Sequence, residues 1–262
     1  MPDLPYAFAG LVVGLLVGAT GIGGGALMTP LLVMFFGINP AVAIGTDLLF
    51  AALTKVAGVG VLGVRGGIDW QIVRRLLAGS LPGAFLATAF IYRLEQTSRD
   101  ADQLLKVGIG FMLVVTATMM FLKAHLVRGP EGASSAHSHR GRPHDLFLTV
   151  AIGGVIGVIV ASTSIGAGAL GTMALVLLYP GRWTPQRLVG TDLAHAIPLA
   201  VVAGAGYWAA GSLNFGLLGS LLAGSVPGVI LGAMFASRAP GGLLRVLIAG
   251  ALFLSGVKLL AT

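Results

Sequence analysis

The sequence predicts an all-α polytopic membrane protein. It is built from two inverted-topology repeats of five helical segments each, the first two of each repeat short and meeting at a glycine-rich break. Three observations lead to that class. Charged residues make up only 10% of the 262 and hydrophobic residues 56%, whereas a soluble domain carries about 25% charge. Apolar stretches recur at about the length that a helical crossing of a ~30 Å hydrocarbon core requires. Short motifs return, in register, in the second half of the chain.

Composition excludes several classes. Outer-membrane barrel strands are shorter and alternate apolar with polar residues, so a barrel does not fit. With no cysteine in the chain, disulfides and thiolate metal sites are ruled out. The net charge of +7 sits in short loops between apolar runs, the pattern of membrane topology and not of nucleic-acid binding. The first Lys or Arg is Lys55, so the cationic start of a signal peptide is lacking and Leu4–Ala19 is expected to persist as a helix. Glycine is in excess: 41 residues, roughly 16% of the chain, about twice the usual ~7%. Close helix contacts, breaks and backbone that approaches a ligand all call for it.

The repeat is readable directly. Gly45-Thr46-Asp47-Leu48 returns as Gly190-Thr191-Asp192-Leu193, and Ala78–Gly83 returns as Ala223–Gly228, both at an offset of 145. Upstream, Gly21–Leu27 aligns with Ser164–Leu170 at an offset of 143. Five apolar segments follow in each half. The first half gives Leu4–Ala19, Ile22–Phe36, Ala41–Val64, Ile72–Tyr92 and Leu104–Leu122. The second gives Leu146–Ala161, Ile165–Tyr179, Leu188–Ala210, Phe215–Phe235 and Leu243–Leu260. Residues 1–122 thus form one repeat and 146–262 the other. The polar, Gly-, Ser- and His-containing stretch 123–145 reads as a linker loop.

Charge decides the topology. With an odd number of crossings per half, 11 of the Lys and Arg residues fall on one side, and Arg93, Arg99, Lys106 and Lys258 on the other. An even number would divide them almost equally, so the positive-inside rule favours the odd count. The halves are then inverted relative to one another, with both termini outside and the 123–145 loop in the cytoplasm. Whether each short pair crosses twice or folds back gives the same parity.

Inverted repeats with interrupted helices place a ligand site near the midplane, where broken helix ends converge. The breaks are Thr20 with Gly21, Gly23, Gly24 and Gly25, and Ser162, Thr163 and Ser164 with Gly166 and Gly168. Each opens a new helix whose first amides can hold an anion, with hydroxyls as further donors. Both breaks also fit a dinucleotide fingerprint, but no strand or βαβ unit surrounds them. Asp47, Lys55 and Asp192 lie inside apolar spans and must face protein or water. Asp47 and Asp192 read as proton-coupling carboxylates, or alternatively as caps of helix starts. Lys55 reads as a positive point for an anion. Eight residues apart, Asp47 and Lys55 can line one wall of a helix without pairing directly. The position matching Lys55 is Ala200, and the one matching Phe50 is His195, a further candidate for coupling. His137, His139 and His144 have ligand chemistry but lie in the polar linker; no metal or cofactor is implied.

These motifs resemble the TauE/SafE sulfite exporter family, also called the four-toluene sulfonate uptake permease family. The resemblance spans nearly the whole chain. It rests on Gly21–Gly25, Pro30, Ala43–Thr46, and Gly79 with Pro82-Gly83 and their second copy. It implies a bacterial inner-membrane permease for a small anion, a sulfur oxyanion or organosulfonate such as sulfite, thiosulfate or a sulfonate. Many members carry Ser where this chain has Asp47. The expected partners are the anion, the lipid bilayer and a proton as coupling ion. A passive small-anion channel would share the breaks and the repeats. An aspartyl intramembrane protease would need Gly-x-Gly-Asp, whereas both copies here read Gly-Thr-Asp.

Overall fold

The structure, a computed structural model, describes residues 3–20, 25–62, 67–97, 101–126, 143–235 and 241–261. Among these residues all regular secondary structure is helical: α1 (Leu4–Thr20), α2 (Gly25–Met34), α3 (Pro40–Leu62), α4 (Trp70–Thr97), α5 (Ala101–Leu126), α6 (Pro143–Thr163), α7 (Ala169–Leu178), α8 (Pro185–Ala209), α9 (Phe215–Phe235) and α10 (Gly241–Leu260). Each expected apolar segment is one helix. Five described stretches are long and apolar enough to cross a bilayer: Trp70–Thr97, Ala101–Phe121, Leu146–Thr163, Gln186–Ala209 and Phe215–Gly232. By contrast, α2 and α7 have 10 residues each, about 15 Å of helix and half a hydrocarbon core.

Two boundaries differ from the sequence expectation. Helix α5 continues through Lys123 to Leu126, and α6 resumes at Pro143, a residue preset for the first helical position because its missing N–H would be unpaired there anyway. The linker is therefore shorter than 123–145. Helix α4 extends past Tyr92 to Thr97; the charged Arg93 and Glu95 end its apolar run without breaking the helix.

The helices pair across the two halves. α1 packs along α9, α4 along α6, α3 along α8, and α5 along α10. Glycine permits the first two crossings. A Cβ on Gly14 of α1 would lie 2.5 Å from the Ser225 carbonyl oxygen of α9, and one on Gly228 of α9 would lie 2.5 Å from the Leu11 carbonyl oxygen. In the other crossing, a Cβ on Gly153 of α6 would lie 2.5 Å from the Leu76 carbonyl oxygen, and one on Gly83 of α4 would lie 2.5 Å from that of Gly154. Real Cβ atoms essentially never come within 3.0 Å of such neighbours. The backbones touch because no side chain stands between them, which is how helices associate where lipid removes the hydrophobic drive. The two crossings use matching residues: Gly10 and Gly14 of α1 stand where Gly153 and Gly157 stand in α6, and Leu221 and Ser225 of α9 stand where Leu76 and Ser80 stand in α4.

The turns preceding α4 and α9 match in the same way but differ in charge. The Asp69 amide donates to Thr191 Oγ1 at 3.1 Å, and the Asn214 amide donates to Thr46 Oγ1 at 3.4 Å. Each side chain also accepts from its own helix start, Asp69 from the Ile72 amide and Asn214 from the Leu217 amide. Asp69 alone then gathers two guanidinium groups, Arg182 at 2.7 Å and Arg187 at 3.1 Å. With its side chain 4% exposed, Asp69 joins the start of α4 to the α7–α8 turn through Arg182 and to the first turn of α8 through Arg187.

The glycine crossings make a direct prediction. Gly79→Val and Gly224→Val drive a side chain into the backbones of Val150 and Ala7 and should each destabilise the detergent-solubilised protein by about 3 kcal/mol or more. Gly219→Ala and Gly250→Ala, with nothing within 4 Å of the added carbon, should leave thermal unfolding within about 0.5 kcal/mol of the parent. Equal unfolding midpoints for all four would refute backbone contact as the basis of the crossings.

Candidate functional site

Asp47 and Asp192 do not cap helix starts. Each follows seven residues of its own helix, α3 or α8, beyond the first turn where capping operates. Both are buried, Asp47 completely and Asp192 at 6% exposure, and Lys55 is buried at 8%. An ionisable group held this deep needs polar partners. Thr29 of α2 donates its hydroxyl to Asp47 Oδ2, while Oδ1 has no hydrogen-bond partner among the described residues. Asp192 packs against the first turn of α7, where the absence of a side chain on Gly171 makes room for its carboxylate. The Lys55 ammonium lies within electrostatic reach of both Asp192 and Asp47.

Lys55 borders a small cavity. Its polar lining is Lys55, Thr116 and Ser164 with the backbone from Gly166 to Ala169; small and aliphatic residues such as Ala51 and Val160 form the rest. The break that supplies this wall has unusual backbone geometry. Ser164 has φ of 58° and Gly166 φ of 101°, a region that costs a non-glycine residue energy and is held only where the surroundings impose it. The turn leads into α7, whose N-cap Gly168 offers no side-chain cap; the Leu170 amide donates to the Gly166 carbonyl at 2.8 Å, and the positive start of the helix at Gly168 and Ala169 is part of the cavity lining. Ser164 Oγ is buried and has no hydrogen-bond partner among the described residues. Its side chain also lies near enough to Asp47 to interact with it, which connects the cavity wall to the buried carboxylate.

The cavity lies where the two halves meet. Lys55 and its counterpart Ala200 both line it, as do Ala26 and its counterpart Ala169. Of the sequence candidates, Lys55, Ser164, Gly166 and Gly168 come together here. Thr163 does not: its hydroxyl bonds the Ile159 carbonyl at 2.7 Å and accepts from the Ile165 amide at 3.2 Å. Ser162 is half-buried and outside the lining. His195 is fully buried and bonds Ser80 Oγ through Nε2 at 2.9 Å, also away from the lining. Gly21, Gly23 and Gly24, like His137 and His139, lie outside the described residues, and the side chains of Thr20 and His144 are likewise not described; Gly25 opens α2. Among the described residues no cluster of three or more His, Cys, Asp or Glu is placed to hold a metal ion. Thr29 and Thr116 carried no signal in the sequence.

A family model described as Sulfite exporter TauE/SafE matches residues 6–259. A Bacillus subtilis (strain 168) protein named probable membrane transporter protein YjnA is 36% identical over 255 residues, covering 96% of this chain and 97% of the relative. Two others from the same organism, the probable membrane transporter proteins YdhB and YtnM, are 26% and 28% identical over 80% and 77% of this chain and 81% and 63% of their own. No solved structure matches the chain.

The Thr29–Asp47 contact is open to measurement. In a double-mutant cycle of Thr29→Val and Asp47→Leu, unfolding of the purified protein should give a coupling energy of about 1.5–3 kcal/mol, the range for a hydrogen bond to a charged group. Additive effects of the two substitutions would show that the contact contributes nothing.

Proposed function

We propose, for a chain that belongs to the TauE/SafE sulfite exporter family of membrane transporters, that it is a secondary transporter carrying a small anion through the bacterial inner membrane. The anion is a sulfur oxyanion or an organosulfonate, and a proton is the coupling ion. The two halves are read as inverted repeats, with both termini periplasmic and the linker cytoplasmic. The matched crossings of α1 with α9 and α6 with α4 support this organisation, as does the excess of basic residues on one side.

The observation that carries the reading is the cavity between the halves. It presents one ammonium, Lys55, a hydroxyl, Ser164, and the uncapped start of α7. These are donors and positive ends, with no acidic group among the described lining residues, a composition suited to a small anion. Coupling follows from the charges behind the lining. With Asp47 and Asp192 both ionised, the set including Lys55 carries one net negative charge and opposes an incoming anion. Protonating one carboxylate brings the set to neutral, so anion binding and proton uptake favour one another, reciprocally. Ser164 stands between the cavity and Asp47, which suits it to relay that preference.

In proteoliposomes supplied with sulfite, thiosulfate or methanesulfonate, uptake should saturate and respond to a pH gradient. Asp47→Asn and Asp192→Asn should each abolish the response to the gradient; undiminished proton-driven flux in both variants would eliminate the coupling role. Flux that rises linearly with concentration and ignores the gradient in the parent protein would favour a passive channel instead. Lys55→Met should raise the anion KM roughly tenfold or more, the cost of one charge-assisted contact, and an unchanged KM would remove Lys55 from the site.

A further inference from the structure

Thr116 stands apart from the other helical threonines. A threonine hydroxyl inside a membrane helix ordinarily bonds the carbonyl four residues earlier. Thr54, Thr88, Thr97, Thr118, Thr163 and Thr172 all do so, with distances of 2.7 to 3.0 Å. For Thr116 the corresponding acceptor is the Met112 carbonyl, and the bond is not made. Its hydroxyl is buried, with the residue 2% exposed, and has no hydrogen-bond partner among the described residues, yet Thr116 lines the cavity. A buried hydroxyl left unpaired costs free energy, a cost that an acceptor placed in the cavity would remove.

We propose that Thr116 contacts the transported anion and selects oxyanions with three oxygens on one centre over carboxylates with two. The inference rests on the anion-transport reading and deepens it. Lys55 comes from α3, Thr116 from α5, and Ser164 with the α7 start from the break after α6, so the cavity is supplied with donors by separate elements. Two oxygens satisfy Lys55 and the Ser164 break. A third oxygen gives Thr116 an acceptor, whereas a carboxylate turns its alkyl group toward Thr116 and leaves the hydroxyl unpaired.

Methanesulfonate and acetate, which share a methyl group and a single charge, are the probes, titrated calorimetrically into the detergent-purified full chain. The parent protein should bind methanesulfonate more tightly. Thr116→Val, close in shape and lacking the hydroxyl, should weaken methanesulfonate roughly tenfold or more while changing acetate by less than about twofold, and Thr116→Ser should restore most of the loss. A loss of equal size for both anions would assign Thr116 a structural role and overturn the proposal, as would unchanged affinity for methanesulfonate in Thr116→Val. Should the parent bind neither sulfite, thiosulfate nor methanesulfonate, the anion-transport reading falls and takes this inference with it.

Discussion

The crossings of α1 with α9 and of α4 with α6 bring helices backbone to backbone, and the position of everything else follows from those contacts. Where Gly14 meets Ser225 and Gly153 meets Leu76, the distance between helix axes is set by main-chain atoms and does not adapt to a repacked side chain. Lipid tails are as apolar as leucine, so burying leucine against leucine gives membrane helices little reason to associate; close approach of main chains and the dispersion it brings do. Because α1 pairs with α9 and α6 with α4, the first helix of each half is clamped to the other half. The break at the end of α6 is thereby held against the first half, where Ser164 and Gly166 to Ala169 line the cavity.

The same apolar setting sharpens what the few polar groups mean. Three ionisable side chains exposed to lipid at depth would cost on the order of 8–10 kcal/mol on the insertion scale. The fold avoids that cost by enclosing Asp47, Lys55 and Asp192 in protein, each beside small residues or a hydroxyl. Thr29 and Gly171 serve the two carboxylates differently, one by donating a hydrogen bond and the other by making space. The counterpart of Thr29 in the second half, Thr172, turns its hydroxyl to the Gly168 carbonyl instead. The halves share a frame and have diverged in the side chains that face the charge.

Much of this frame could be read from the residues. The ten segments, the short pairs and the breaks are properties of local composition, and Lys55, Ser164, Gly166 and Gly168 were conspicuous because polar groups or glycines interrupt an apolar run. Asp47 and Asp192 were ambiguous for a physical reason: the Gly-Thr before each resembles a helix start, and only the preceding helical residues, which begin at Pro40 and Pro185, remove the capping alternative. The pairing of α1 with α9 was beyond local reading, since periodicity shows that a helix has a buried face and says nothing of what covers it. Thr116 was invisible because its significance lies in a hydrogen bond it does not make. His195 was noticed for its chemistry, and its contact with Ser80 gives that chemistry a partner the sequence did not indicate.

Lys55 and Ala200 occupy matching positions on the same cavity. A faithful duplicate would have set two ammonium groups facing one another across a space fit for one small ion, where like charges at such range repel strongly in low dielectric. With alanine in the second place, the cavity carries one lysine and not two. On the proposed anion-transport function, the two halves would make one receptor between them, and that single lysine would set the amount of charge it accepts.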